Sequence, residues 1–395
     1  MDRAAPVMVT QTPQGYISLY LHQTDTSLIL YIVVFTSYFI FIGMFSLEGA
    51  RQSPVNTHQA CSARLINSPF TLRTRNIVTN RSHIGICRAS SGRRDEVLRT
   101  LSENGQVSVV VVDGTALVQD ACNRHQTAPT ASAALGRTIL GTLMMSCFRG
   151  QGEKTQVTFK GDGPFGTIQV VSESSGLVKG LIGNPNVNFP LRESDNKLDV
   201  SQGVGKGILS VVRSLPFTEK GYQTPYTGLV PITTGEIAED LATYLADSEQ
   251  TQSALGLGVS VGRDLKIDAA GGFLIQVLPF AEDETISQLE ANVSKAGSMS
   301  RMLKDGLSPK EITDILLEGL GTGGEGFSLT PRYGPCEPED LKGRMASAVA
   351  ALGEDEVRDI IKEQGMIEVT CEFCKQSYKF EEDAIMEIIN ANKQS

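Results

Sequence analysis

The sequence predicts an α+β protein: an N-terminal mixed sheet-helix domain, a helical linker and a small C-terminal domain of cysteine or zinc type. Three observations lead there. Short β-branched runs bounded by glycine turns recur between residues 95 and 280, separated by helical patterns. Past Pro279 the composition shifts to charged helical pieces with narrow apolar stripes. Residues 331–395 hold few large apolar groups but carry a Cys-x-x-Cys turn.

The chain of 395 residues is 41% hydrophobic and 20% charged, enough for a packed core, which excludes collagen-like, low-complexity and fully disordered classes. Its net charge of −10 is unevenly spread. Residues 1–94 hold nine Arg, no Lys and three acids (Asp2, Asp25, Glu48), or +6, leaving −16 on the rest. So acidic a body repels a phosphate backbone, and no nucleic-acid partner is expected.

Residues 1–90 read as a targeting segment. No charge occurs between Ser27 and Leu47, and the apolar run 28–45 has the length of a bilayer crossing. From Gly49 to Arg94 there is no acid, and eight Arg lie among Ser, Thr and Asn, the composition of an organelle transit peptide. Cleavage is expected near Cys87–Ser90 with a plastid (chloroplast stroma) destination, leaving Cys61 and Cys87 outside the folded body and no membrane association in the mature form. The alternatives are a membrane-anchored protein, if the apolar run is retained, or a cytoplasmic one.

The body begins at Asp95. Gln106–Val112 is a buried strand, and Pro129-Thr130 opens a long apolar helix that Gly150 stops, so Cys147 belongs to the core. Residues 155–160 and 166–171 form a hairpin around Gly161-Asp162-Gly163-Pro164, with Asp162 serving the turn. Further strands fall at 176–182, 206–213, 226–232, 254–262 and 271–278. Thr233 with Glu236 makes a capping box for a helix through Ile237, Leu241, Tyr244 and Leu245.

Residues 281–330 form the linker. Ile286, Leu289 and Val293 make one stripe; Ser308-Pro309-Lys310-Glu311 caps a helix bearing Ile312, Ile315, Leu316 and Leu320; Gly321–Gly326 closes it with a flexible loop. Helices this short do not stand alone in water, so the linker must lie on its neighbour or melt. Beyond Tyr333 come two short helices, ended by Gly353 and Gly365, and a knuckle, Val369-Thr370-Cys371-Glu372-Phe373-Cys374.

Cys371 and Cys374 have the spacing at which one turn aims two thiolates at a tetrahedral metal, and also that of a redox pair. Cys336 is the only other thiol in the segment, and no His follows His125. Three sulfurs leave tetrahedral zinc one ligand short, to be filled by water or a carboxylate such as Glu337 or Glu372. His83 and His125 show no metal spacing and are read as incidental.

The stretch VTCEFCKQSYKFEEDAI resembles the zinc knuckle of the heat-shock protein 33 family of redox-regulated chaperones. The resemblance continues through FKGDGPFGTIQVV, TGEIAEDLATYLADSEQ and AAGGFLIQVLPFA, in order over residues 95–390. It implies that 95–280 binds unfolding or misfolded client proteins, that 281–330 is a metastable helical linker and that 331–395 is a redox sensor folded around zinc. On this resemblance Cys336, Cys371 and Cys374 are the metal-binding and redox-active residues of an ATP-independent holdase, not an enzyme, which oxidation could join into a homodimer. The family's Cys-x-Cys reads here as Gly334-Pro335-Cys336, so the four-cysteine switch does not transfer intact. The alternatives are a constitutively active chaperone lacking a complete zinc switch, or a thiol-disulfide oxidoreductase.

Other motifs carry less. Gly258-Val259-Ser260-Val261-Gly262 matches a hydrolase nucleophile elbow, but no His follows it and Arg263–Ile267 reads extended. Gly203–Gly207 and Gly321–Gly326 lack the Lys-Ser/Thr of a phosphate loop and read as turns. Glu354–Glu356 and Glu381–Asp383 are acidic helix starts.

Overall fold

The computed structural model describes residues 6–12, 15–23, 28–36, 39–47, 94–215, 225–334 and 338–394. Strands β1 (Pro6–Thr12), β2 (Gly15–Gln23), β3 (Leu28–Thr36) and β4 (Phe39–Leu47) pair antiparallel in chain order. The apolar run 28–45 is thus divided between two strands. Among the described residues no helix is long and apolar enough to cross a membrane. Residues 48–93, with Cys61, Cys87 and the expected cleavage region, lie outside the described residues.

The body runs β5 (Glu96–Leu101), β6 (Val107–Asp113), α1 (Thr115–His125), α2 (Pro129–Ser146), β7 (Lys154–Gly161), β8 (Thr167–Glu173), β9 (Leu177–Ile182), α3 (Val200–Val204), β10 (Gly207–Ser214), β11 (Tyr226–Ile232), α4 (Ile237–Asp247), β12 (Ser253–Val261) and β13 (Ile267–Val277). Then come α5 (Asp283–Ala296), α6 (Met299–Lys304), α7 (Pro309–Leu316), β14 (Phe327–Leu329), β15 (Arg332–Tyr333), α8 (Pro338–Ala350), α9 (Glu354–Gln364), β16 (Ile367–Thr370), β17 (Ser377–Phe380) and α10 (Glu382–Gln394). Two larger sheets form, in the orders β12-β13-β6-β5-β14 and β11-β10-β7-β8-β9-β15. At the end of the linker and just past it the chain returns to add one edge strand to each sheet, β14 antiparallel to β5 and β15 parallel to β9.

Helix α2 lies between the sheets, packed on β12 and β13 on one side and on β8 and β9 on the other. That placement explains why its sequence is apolar all round: Leu135, Ile139, Leu140 and Leu143 are all inaccessible to water. Strand β6 is buried along its whole length, as the run VSVVVVD requires. Its side chains alternate. Val110 and Val112 face the α2 core, while Val107, Val109 and Val111 enter a second cluster on the opposite face.

The structure revises several sequence expectations. Helix α1 starts on two carboxylates: Thr115 N donates to Asp113 Oδ1 at 3.3 Å, while Ala116 N and Leu117 N donate to Asp95 at 2.9 and 2.6 Å. Burial holds the Asp95 carboxyl up at about 6. The Thr233/Glu236 box does not form. Asp240 instead accepts from the amides of Thr233, Thr234 and Gly235, so the carboxylate arrives from inside the helix. The Ser308/Glu311 box is present as read.

Candidate functional site: a covered sheet face and a clasped cysteine turn

Two features set this molecule apart, and the linker connects them. The first is the outer face of the five-stranded sheet, where Val107, Val109, Val111, Ala269, Phe273 and Ile275 form an apolar floor. It is covered by Leu289 of α5, Met299, Met302 and Leu303 of α6, and Ile312, Leu316 and Leu317 of and after α7. The approach is close, since a Cβ at Gly258 would stand 2.7 Å from Ser300 N, and one at Gly271 2.4 Å from both Leu303 Cδ1 and the neighbouring strand's Val112 O. Glycine is needed there to let six-residue α6 lie flat on the strands.

The cover is thin and partly polar. On α5 the residues that point inward are Thr285, Leu289 and Asn292, while Ile286 and Val293 are half-buried, so the expected stripe is turned. Asn292 Nδ2 donates to Leu316 O at 3.1 Å and Glu318 O at 2.8 Å, binding α5 to the end of α7. The 321–326 loop, expected to be flexible, is pinned to β5: Gly323 N donates to Leu101 O at 2.9 Å, and Thr322 bridges Ser102.

The second feature is the turn between β16 and β17. Lys375 N donates to Cys371 O at 2.7 Å and Cys371 N to Gln376 O at 2.9 Å, with Lys375 left-handed at φ 56°. One tight turn thus carries Cys371 and Cys374, both buried, at 6% and 5% exposure. Cys336 and Glu337 lie outside the described residues. Gly334 is held by its amide, which donates to Val178 O at 2.9 Å, and has no side chain to offer a metal. Glu372 is engaged by Lys375 Nζ. Among the described residues no three His, Cys, Asp or Glu are placed together to hold a metal ion. The chemistry of the turn suits two of the four ligands of a tetrahedral sulfur site, which would need Cys336 and one further donor to be complete.

The turn does not stand alone. The Phe373 carbonyl, between the two cysteines, lies 3.0 Å from His125 Nε2 and also accepts from Tyr333 Oη. Tyr333 Oη contacts the backbone of Gly180 on β9 as well, 3.0 Å from its oxygen and 3.4 Å from its nitrogen. Arg124 covers the Tyr333 ring at 4.7 Å, and Lys179 the Phe373 ring at 5.1 Å. Below them Val171 of β8 joins the core of the C-terminal unit, with Leu341, Met345, Phe373 and Tyr378. Burial lowers the His125 imidazole to about 4 and so keeps it neutral.

His125, read as incidental, is therefore a contact of the cysteine turn. Tyr333 and Phe373 were not singled out either. Local spacing could not find them, because His125 and Phe373 are 248 positions apart.

The remaining sequence candidates take structural roles. Cys147 is buried in the core, its thiol pushed up to about 12, and burial likewise raises the Cys122 thiol. Asp162 accepts from Lys206 N at 2.7 Å, so it ties its turn to the loop before β10 instead of bonding within the turn. Gly203 lies against the same turn, where a Cβ would meet the Phe165 ring at 2.0 Å, so it serves packing and not phosphate binding. Ser260 sits in β12 opposite Ala269, and a hairpin follows it instead of a helix.

The arrangement defines a class: an α+β protein with one sheet face covered by short helices and a cysteine turn seated against the other sheet. Residues 95–381 match the family described as Hsp33 protein, and the chain belongs to it. The 33 kDa chaperonin of Clostridioides difficile (strain 630) is 40% identical over 306 residues, which cover 75% of this chain and 99% of the relative. That of Latilactobacillus sakei subsp. sakei is 41% identical over 300 residues, again 75% and 99%. The crystal structure of the 33 kDa chaperonin (heat shock protein 33 homolog) from Thermotoga maritima superposes with a TM-score of 0.69 at 29% identity. It covers 77% of this chain and 100% of that one. The protein is thus a chaperone-family member with an α+β fold.

Proposed function

We propose that the protein is a redox-regulated, ATP-independent holdase that binds unfolding polypeptides through the sheet face beneath the linker. One observation carries this reading: a continuous apolar face, Val107 to Ile275, is closed by helices too short to persist without it. Uncovering it presents the extended apolar surface that an unfolding chain seeks.

The trigger is assigned to Cys336, Cys371 and Cys374. Peroxide would take two thiols to one disulfide, the sulfurs losing two electrons and two protons while the peroxide yields two waters. The three cysteines are also the residues that would hold zinc. The metal, when bound, supplies folding free energy to a small domain and keeps its thiols deprotonated. Burial keeps Cys371 and Cys374 from turning over substrates, which favours a switch over a thiol-disulfide oxidoreductase.

Because Gly334 stands where the family has its first thiolate, zinc retention is weaker here and the threshold for activation lower than with four cysteines. Cys336, left over once Cys371 pairs with Cys374, is the residue to bridge two copies in an oxidised homodimer. The acid-free, Arg-rich segment before residue 95 supports a plastid stroma location.

Aggregation of a heat-denatured test protein, followed by light scattering without nucleotide, tests the reading. Protein starting near Ser90 is expected to suppress scattering after peroxide and to do so weakly or not at all in reducing buffer, with thiol titration and metal release alongside. Equal suppression in both buffers would establish a constitutive chaperone, and none in either would refute the holdase.

A further inference from the structure

The cysteine turn meets the N-terminal unit through the main-chain oxygen of Phe373 and through that residue's ring. We infer that His125 of α1, with Tyr333, is the clasp that ties the chemical state of the Cys371–Cys374 turn to the seating of the C-terminal unit. The inference rests on the redox reading above and adds the residue that transmits it.

A carbonyl only accepts, so His125 Nε2 carries the proton and donates across 3.0 Å. Its Nδ1 is buried without a partner, so the ring is held there through Nε2, which also lies 3.4 Å from Tyr333 Oη, and by shape. Tyr333 Oη reaches the same oxygen while contacting the Gly180 backbone, so one hydroxyl touches the turn and strand β9 at once. His125 is 4% exposed, which makes the contact a dry one in which a lost partner is costly.

Phe373 is the second of the two residues enclosed by the cysteine pair. Joining the sulfurs closes a four-residue ring and fixes Cβ atoms about 3.8 Å apart. Within so small a ring the Phe373 peptide cannot turn independently of the bond. Its carbonyl then leaves the two donors, and with it goes the seat formed by Val171, Tyr333 and Phe373. Because Tyr333 lies in β15, which directly follows the linker's last strand, β14, loosening the clasp frees the end of the chain segment that holds the cover in place.

The test is the rate at which a maleimide labels Cys371 and Cys374 in the unoxidised full chain, read by mass spectrometry, with aggregation suppression measured beside it. His125→Phe keeps a planar ring, slightly larger, but removes the donor; labelling is expected to rise about tenfold, the factor carried by one buried hydrogen bond. His125→Gln restores an N–H near the Nε2 position and should recover most of the protection. Tyr333→Phe removes one hydroxyl and should raise labelling without oxidant, and it serves as the test if His125→Phe does not fold. Parent-like labelling in His125→Phe together with faster labelling in His125→Gln would show that only ring packing matters and would overturn the clasp. Failure of the redox-holdase reading looks different: the oxidised parent would not suppress aggregation, whatever the labelling rates.

Discussion

The two faces of the five-stranded sheet are closed in opposite ways. On the inner face a single eighteen-residue helix, α2, buries residues all around its circumference and is shared with the other sheet. On the outer face three helices of 14, 6 and 8 residues share the work, joined by Asn292 and one capping box. Both faces draw on one strand, β6, whose odd and even valines enter different cores. A cover that two sheets need cannot leave without unfolding the domain. A cover that only one face needs can.

Substitutions sharpen this contrast, the inner face showing the largest effect. Leu140→Ala should cost roughly 2–5 kcal/mol and lower the main thermal transition by several degrees or more. Leu303→Asp, on α6, should leave that transition nearly in place while raising apolar-dye binding and aggregation suppression in reducing buffer. If Leu303→Asp unfolded the domain as Leu140→Ala weakens it, the two faces would not be independent.

Acid should act next, through His125. Its folded value, about 4, lies below the 6.5 of an unconstrained imidazole, so the unfolded chain takes up a proton the native protein refuses. Stability present above pH 6.5 is therefore lost as pH falls towards 4, by up to roughly 3 kcal/mol. Chemical denaturation followed by circular dichroism or by proteolysis of 338–394 would show it. His125→Phe should flatten the dependence in that window.

Smaller changes test the joints of the cover. Asn292→Ala removes the donor to Leu316 O and Glu318 O, and about 1–3 kcal/mol of linker stability should go with it, seen as faster amide exchange in α7. Ser308→Ala, which breaks the capping box, should cost about 1 kcal/mol in the same measurement.

Much of the sheet framework was legible because its signals are local. The run of valines in β6, the glycine turn of the β7–β8 hairpin and the Ser308 box each carry their cause within a few residues. Helix α1 is only partly legible: Asp113 beside its start is local, but the carboxylate that takes its next two amides, Asp95, precedes strand β5, twenty-one positions away from Ala116. The turn before α4 misled for a related reason, since Asp240 outcompetes Thr233 and Glu236 for the amides a capping box would use. At the candidate site the Cys371–Cys374 spacing is visible in the sequence, while His125 has no metal-ligand spacing to mark it. Its partner is a backbone oxygen, and main-chain acceptors leave no trace in residue types.

Amide hydrogen exchange across the chain, before and after oxidation of the thiols, tests the central claim most directly. The account requires protection to collapse in residues 283–317 and along β6 while residues 129–146 keep theirs. Loss of protection in both regions together, or full aggregation suppression with 283–317 still protected, would contradict it.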